Sequence, residues 1–321
     1  MSPIDQHLLA LEPQARERVW GGQLLRPSNP PIGEMWVAYG PSRVSGGLYR
    51  GRTLDELVAE FGPSLVGTTV SSRYGTRFPL LVKLLDCADW LSVQVHPNDE
   101  QAGRMVGPGE PGKTEAWYFL TAEPGAQIIL GVKPGVDAAK LAGAIRDGHI
   151  REVAASVDVH AGEAALVPAG TLHALGPGLL LYEIQQASDT TYRVYDWDRP
   201  ASDGRKLHIE ESVEVTRAIV AAPPVRPVVP AGTGTSDAID CPYFDVDLVR
   251  VAADGGPLAA DTAGRKFHIL TVLDGKIEVT SGNERLGLGR FETALVAGSA
   301  GAYEIRTAAG PATILRAVVP E

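Results

Sequence analysis

With only two cysteines in 321 residues, Cys87 and Cys241, the chain cannot build a disulfide framework, and the pair shows no CxxC or metal-knuckle spacing. A reducing compartment is the expectation. No apolar stretch approaches the about 20 residues that a bilayer-spanning helix needs. The opening Met1-Ser-Pro-Ile-Asp-Gln-His-Leu-Leu-Ala also lacks the basic start and apolar core of a secretory signal. The expected location is the cytoplasm, with no membrane partner. Positive charge is scarce: 29 basic residues against 39 acidic ones give a net charge of -10, and no basic cluster stands out. Nucleic acid is therefore excluded as a partner, and a phosphorylated ligand would need a local cationic pocket rather than an attractive surface.

Apolar residues make up 44% of the chain and charged ones only 21%, enough to build a sizeable core, while 36 glycines and 24 prolines interrupt the apolar runs. Many short runs broken by turn residues favour a mainly β architecture. Strands are expected at 80–85, 91–95, 117–121, 128–132, 164–167 and 179–185. Helices are expected at 53–61, where Thr53 and Glu56 form a capping box closed by Gly62, and at 98–105, 137–145 and 210–218.

The most telling stretch is Gly162-Glu-Ala-Ala-Leu-Val-Pro168-Ala-Gly170-Thr-Leu-His173, with spacing G-x5-P-x-G-x2-H. This is the second signature of the cupin superfamily. Physically it reads as a buried strand and a tight Pro-Ala-Gly corner that aims an imidazole into a barrel, where a metal can meet it. Further ligands must come from other strands. In Leu91-Ser-Val-Gln-Val-His96, alternation puts Leu91, Val93 and Val95 on one face and Ser92, Gln94 and His96 on the other. In Lys113 to Leu120, the residues Lys113, Glu115, Trp117 and Phe119 share a face. A carboxylate among large aromatics asks for a cation: a metal, Lys113, or both. Gln94, His96, Glu115 and His173 are thus the expected metal set, whereas His7, His149, His160, His208 and His268 are read as ordinary hydrogen-bonding residues.

The segment 221–238, dense in Pro and Gly, reads as a linker between a catalytic metal-binding cupin domain with short helices (1–220) and a smaller C-terminal domain (239–321). Strands are expected in the latter at 243–251, 267–273, 276–280, 292–296 and 313–318. Its Thr293-Ala-Leu-Val-Ala-Gly-Ser-Ala-Gly-Ala302 echoes Ala164 to His173, with Ala302 in the place of the imidazole. It is read as a degenerate cupin without metal. Gly107-Pro-Gly-Glu-Pro-Gly-Lys-Thr114 matches the phosphate-loop pattern GxxxxGK[ST], but two prolines remove amide donors and a strand follows instead of a helix. Nucleotide binding is not expected.

Together with these segments, Trp20-Gly-Gly, Gly33-Glu-Met-Trp, Phe78-Pro-Leu-Leu-Val-Lys-Leu-Leu-Asp and Glu183-Ile-Gln-Gln-Ala-Ser-Asp-Thr-Thr-Tyr-Arg-Val-Tyr-Asp-Trp-Asp-Arg give a chain that resembles the short bacterial type I phosphomannose isomerases. The resemblance implies two cupin-type jelly-roll barrels, one zinc per chain held by Gln94, His96, Glu115 and His173, and a catalytic role for Arg193. It also places Lys113, Glu183 and Asp189 in the same pocket. In the longer fungal and animal members a tyrosine stands where this chain has Leu175, and a later lysine corresponds to Arg199. The implied reaction interconverts mannose 6-phosphate and fructose 6-phosphate through a cis-enediol, with zinc as Lewis acid. Arg193 would hold the enediolate or the 6-phosphate, and Lys113 would transfer protons or serve as a fixed cation. Glu183 interrupts an apolar run; the plainer reading is a strand-end residue paired to Arg193. The rival readings are an isomerase of unphosphorylated aldoses, a different metal-dependent cupin enzyme such as a dioxygenase or epimerase, and a non-catalytic sugar-binding cupin.

Overall fold

A computed structural model describes residues 3–200 and 205–321; Met1, Ser2 and 201–204 lie outside that description. Strands β1 (Leu8–Ala10), β2 (Gln14–Gly22) and β3 (Ile32–Ala38) lead into helices α1 (Leu54–Phe61), α2 (Pro63–Val66) and α3 (Thr68–Tyr74). Strands β4 (Leu80–Cys87) and β5 (Val93–Val95), helix α4 (Asp99–Met105), then β6 (Glu115–Ala122) and β7 (Gln127–Val132) follow. Helices α5 (Ala138–Arg146) and α6 (Ile150–Val153) precede β8 (Ala154–Asp158), β9 (Ala164–Val167), β10 (His173–Leu175), β11 (Leu179–Gln186), β12 (Tyr192–Tyr195) and α7 (Ile209–Val215). The remainder is strand: β13 (Gly234–Asp240), β14 (Asp245–Val251), β15 (Leu258–Asp261), β16 (His268–Asp274), β17 (Ile277–Ser281), β18 (Glu284–Leu288), β19 (Thr293–Val296), β20 (Ala302–Thr307) and β21 (Ala312–Val318). Among the described residues no helix is long and apolar enough to cross a membrane.

The fold is mainly β, in two cupin-type units, but the units are not consecutive in sequence. Residues 15–35 and 84–225 form one, and residues 1–14, 36–83 and 226–321 form the other. A cut at 221–238 therefore misses a feature of the second unit. Its six-stranded sheet, β1-β19-β16-β21-β14-β13, begins with the N-terminal strand, paired through Leu8↔Val296 and Ala10↔Ala294. Glu284 fixes that strand by accepting from the backbone amides of His7 and Leu8. Strand β13 starts at Gly234, inside the stretch expected to be linker, and Val225 bridges to Ala164.

The unit formed by residues 15–35 and 84–225 contains the five-stranded sheet β12-β5-β10-β7-β8 and most of the sheet β2-β3-β4-β11-β6-β9. Its interior is graded along the strands. At one end Trp117, Phe119, Leu130, Leu175, Leu179 and Leu181 form an apolar core; each side chain fully buried there contributes roughly 1.5–3 kcal/mol. At the other end the same strand faces carry Glu115 and Gln185, directly opposite one another. Val93, Val95, Ile129 and Ala174 point the other way and are covered by Leu141, Ile145, Ile150 and Val215 of α5, α6 and α7.

Local chemistry explains where expectation and structure part. The Thr53/Glu56 capping box forms, as do Asn98 and Asp137 N-caps. Helix α7 stops at Val215, short of Ala218, because Arg217 leaves to donate its amide to Gly170 O and Ile219 O accepts from Val132. Leu91 belongs to the inner core and not with Val93 and Val95, since the strand begins at Val93 and alternation does not reach back to it. The phosphate-loop look-alike runs straight into β6.

In the second unit Ala302 is exposed at the start of β20, while half-buried Asp247 and Arg316 stand with buried His268 and Tyr303. Asp247 accepts from Arg316 at 2.6 and 2.8 Å, and His268 Nδ1 lies 2.6 Å from the Tyr303 hydroxyl. Burial, followed by the charges of Arg316 and Lys266, pulls His268 from its ordinary 6.5 down to about 3. Below pH 6.5 the unfolded chain therefore binds a proton that the folded one refuses, so stability falls as pH drops through the window from 6.5 to about 3. The slope from this one group reaches about 1.4 kcal/mol per pH unit. His268→Gln is expected to flatten the fall in unfolding free energy between pH 6.5 and 4 by that share, measured by denaturant titration at each pH; an unchanged slope would contradict the assignment.

Candidate metal centre

Register brings the expected ligands together from distant segments. Across four strands of the five-stranded sheet, Arg193, Gln94, His173 and Leu130 stand in one row, each directly opposite the next. Glu115 opens β6, opposite Gln185 on one side and Val167 on the other. The Pro168-Ala-Gly corner needs Gly170 at φ +85°, a left-handed conformation open to glycine at no steric cost, and its amide donates to His96 O. His96, Glu115 and His173 are buried, with ligand atoms all within 4.8 Å of one another.

Protons decide what this cluster can hold. His173 Nδ1 is 2.8 Å from Thr171 O and His96 Nδ1 is 3.0 Å from Thr190 O. A carbonyl only accepts, so both Nδ1 atoms carry the proton and both Nε2 atoms present lone pairs. Those lone pairs face the carboxylate: His96 Nε2 is 3.3 Å from Glu115 Oε2 and His173 Nε2 is 3.2 Å from Glu115 Oε1. Burial, then the Lys113 ammonium, drives His96 down to about 3, so it remains neutral and its Nε2 has no proton to donate. Burial by itself would raise the Glu115 carboxyl, but the Lys113 ammonium beside it holds it well below the carboxylate range. Neither Glu115 oxygen has a hydrogen-bond partner of proper geometry, although Oε2 lies 3.0 Å from Lys113 Nζ. Four facing lone pairs in a dry site call for a positive centre. Two imidazoles and a carboxylate fit a borderline-soft divalent ion such as zinc, with the outer nitrogens already fixed by backbone carbonyls.

The other expected residues fall around this trio. The Gln94 amide nitrogen donates to His173 Nε2 at 3.2 Å, and Lys113 Nζ donates to His96 Nε2 at 3.0 Å. Glu183 lies mid-strand, not at a strand end; it is buried and accepts from Trp117 Nε1 at 3.0 Å, and the Trp117 ring meets His173 edge-on at 5.6 Å. Arg193 donates through Nη1 to Lys206 O, and its backbone amide donates to His208 Nδ1. Burial, then Arg205, lowers the Arg193 guanidinium from its usual range, yet leaves it cationic at neutral pH. Asp189 is exposed in the loop between β11 and β12, one residue before Thr190. Leu175 is in the apolar core, and Arg199 is held by Asp89, Asp196 and Trp90 O. His7, His160 and His268 bond to Glu284, Glu163 and Tyr303. Gln185 was not singled out in the sequence, although Glu183-Ile-Gln185 alternation aims it at Glu115. The carbonyls of Thr171 and Thr190 leave no trace in side-chain chemistry at all.

Ligand removal should therefore be felt by the fold. Adding zinc to chelator-treated protein at a free concentration 100-fold above its dissociation constant is expected to stabilise it by about 2.7 kcal/mol, read as a rise in melting temperature. Glu115→Gln, which removes the anionic ligand, should abolish that rise. An equal rise in the variant would place the ion elsewhere.

A family model described as the phosphomannose isomerase type I catalytic domain matches residues 8–112. A mannose-6-phosphate isomerase of Streptococcus mutans is 39% identical over 298 residues, covering 87% of this chain and 89% of that protein. The crystal structure of the mannose 6-phosphate isomerase from Bacillus subtilis superposes with a TM-score of 0.83 at 31% identity, over 97% of this chain and 99% of that one. A zinc-bound mannose 6-phosphate isomerase shares the fold at 17% identity, with a TM-score of 0.77 over 98% and 100% of the two chains. With the relatives aligned over nearly their full length, the chain belongs to the type I phosphomannose isomerase family.

Proposed function

We propose that the protein is a zinc-dependent aldose-ketose isomerase that interconverts mannose 6-phosphate and fructose 6-phosphate. The observation that carries this reading is the set of unprotonated lone pairs of His96, His173 and Glu115, with Gln94 beside them, in a chain whose relatives bear that name. These four residues would hold one zinc, whose chemistry when bound is to stabilise negative charge on a sugar oxygen. One anionic ligand against a divalent ion leaves the centre net positive.

The reaction moves a proton between C1 and C2 and another between the two oxygens, through a cis-enediol. Arg193 stands in the same strand row as Gln94 and His173, where its permanent charge can hold the enediolate or the 6-phosphate. Lys113, in contact with both His96 and Glu115, is the buried cation of the cluster and the nearest candidate to carry a proton. Glu183 steadies the Trp117 indole that walls the site. Asp189, exposed beside Thr190, is given no part in holding the metal. Two unpaired, buried cysteines and a small anionic substrate suit the cytoplasm, with neither nucleic acid nor membrane as partner.

The purified protein should release the ketose from mannose 6-phosphate, lose that activity on chelation and regain it with zinc. Equal or faster conversion of unphosphorylated mannose or ribose would favour the plain aldose isomerase, and turnover that requires iron and oxygen would favour a dioxygenase. His173→Ala is expected to lose metal and activity together. Arg193→Ala should keep its metal and lose at least about a hundredfold in turnover; wild-type turnover in that variant would remove the arginine from the mechanism. Lys113→Arg separates the two lysine roles, since a fixed cation tolerates the change and a proton carrier does not.

A further inference from the structure

We propose that the Gln186 side-chain amide is a positioning residue that holds the three ligand-bearing segments of the centre to one another, an inference that rests on the metal reading above. Gln186 ends β11, is only 6% exposed, and touches no ligand itself. Its Oε1 accepts from the Thr114 amide at 2.9 Å, while its own backbone amide donates to Thr114 O at 3.2 Å. Both backbone polar groups of Thr114, the residue before Glu115, are therefore held. Its Nε2 donates to Asp99 Oδ1 at 2.8 Å, and Asp99 lies three residues beyond His96. The same carboxylate oxygen accepts from Gly112 N at 2.7 Å. The contact is close: a Cβ on Gly112 would sit 2.5 Å from Asn98 C, so the two segments meet backbone to backbone.

The third segment joins through Thr114, whose Oγ1 accepts from Ala169 N at 3.2 Å in the corner that delivers His173. Thr114 and Gln186 thus form one buried clip spanning 96–99, 112–115 and 168–173. The clip requires a carboxamide, because it accepts at one end and donates to an anion at the other. A carboxylate of the same shape keeps the Thr114 bond but sets a second negative charge against the Asp99 carboxylate.

The clip is tested with cobalt(II) as the probe ion, following its visible absorption while a chelator competes for it, with circular dichroism to check the fold. Gln186→Glu is expected to release cobalt about 10–100-fold faster than the wild type, with KM for mannose 6-phosphate unchanged and turnover falling only in step with bound metal. Asp99→Asn added to Gln186→Glu supplies a donor to the new carboxylate and should recover most of the retention, a rescue that a merely space-filling role would not show. Should Gln186→Glu fail to fold, Gln186→Met removes both side-chain bonds without adding charge and carries the same expectation of faster release. Folded variants that keep cobalt as tightly as the wild type, or a double variant without recovery, would overturn the clip alone. A wild type that binds no cobalt would overturn the metal reading and the clip with it.

Discussion

Two backbone carbonyls decide the character of this protein. Thr171 O and Thr190 O each claim the single proton of a neutral imidazole, and so turn the Nε2 lone pairs of His173 and His96 inward onto a buried carboxylate. A buried anion facing two unprotonated nitrogens is unfavourable unless a cation joins them, and proton transfer to His96 is blocked by the same burial that creates the problem. Lys113 supplies one positive charge at the margin. It meets one carboxylate oxygen and His96 Nε2, and the Gln94 amide meets His173 Nε2, which leaves Glu115 Oε1 without a donor. The polar end of the barrel is thus arranged to take a further cation.

The cost of such a site is carried by its setting. Strands β6 and β11 present Phe119 and Leu181 at one end of the barrel and Glu115 and Gln185 at the other, so one pair of strands supplies both core and centre. Apolar burial at the first end holds the register at the second. A one-residue slip would carry Glu115 to the outer face and disassemble both at once. Gln94, Glu115 and His173 therefore sit on strands, and His96 follows directly after the end of β5.

How much of this could be read beforehand follows from the range of the interactions. Alternation along Gln94 to His96 and Lys113 to Phe119, and the Pro168-Ala-Gly corner before His173, are local patterns with a two-residue period, and they placed the ligands on inward faces. Strand ends governed by capping, as at Thr53 and Asn98, were legible for the same reason. Contacts that depend on distant sequence were not. The pairing of β1 with β19 joins residues nearly 300 positions apart and regroups the units, while a Pro/Gly count at 221–238 speaks only for its own neighbourhood. Leu91 misled because strand periodicity says nothing about where a strand begins. Gln186 carried no signal as a lone amide beside another, since its meaning lies in Thr114 and Asp99.

The second barrel carries a different set of polar groups. Its β19 repeats the Ala-Leu-Val run of β9, yet Ala302 stands where the first barrel has an imidazole, and the residue points to solvent. The interior polar groups there are matched in charge: Asp247 against Arg316, and a neutral His268 against the Tyr303 hydroxyl. The Asp247 carboxylate and the His268–Tyr303 pair thus find their partners within the protein. In the first barrel the histidine donors are spent on the Thr171 and Thr190 carbonyls, leaving acceptors to face acceptors. The two barrels thus differ less in shape than in where their protons go, and that difference in proton placement, more than the fold, separates a scaffold from a centre able to stabilise charge on a sugar.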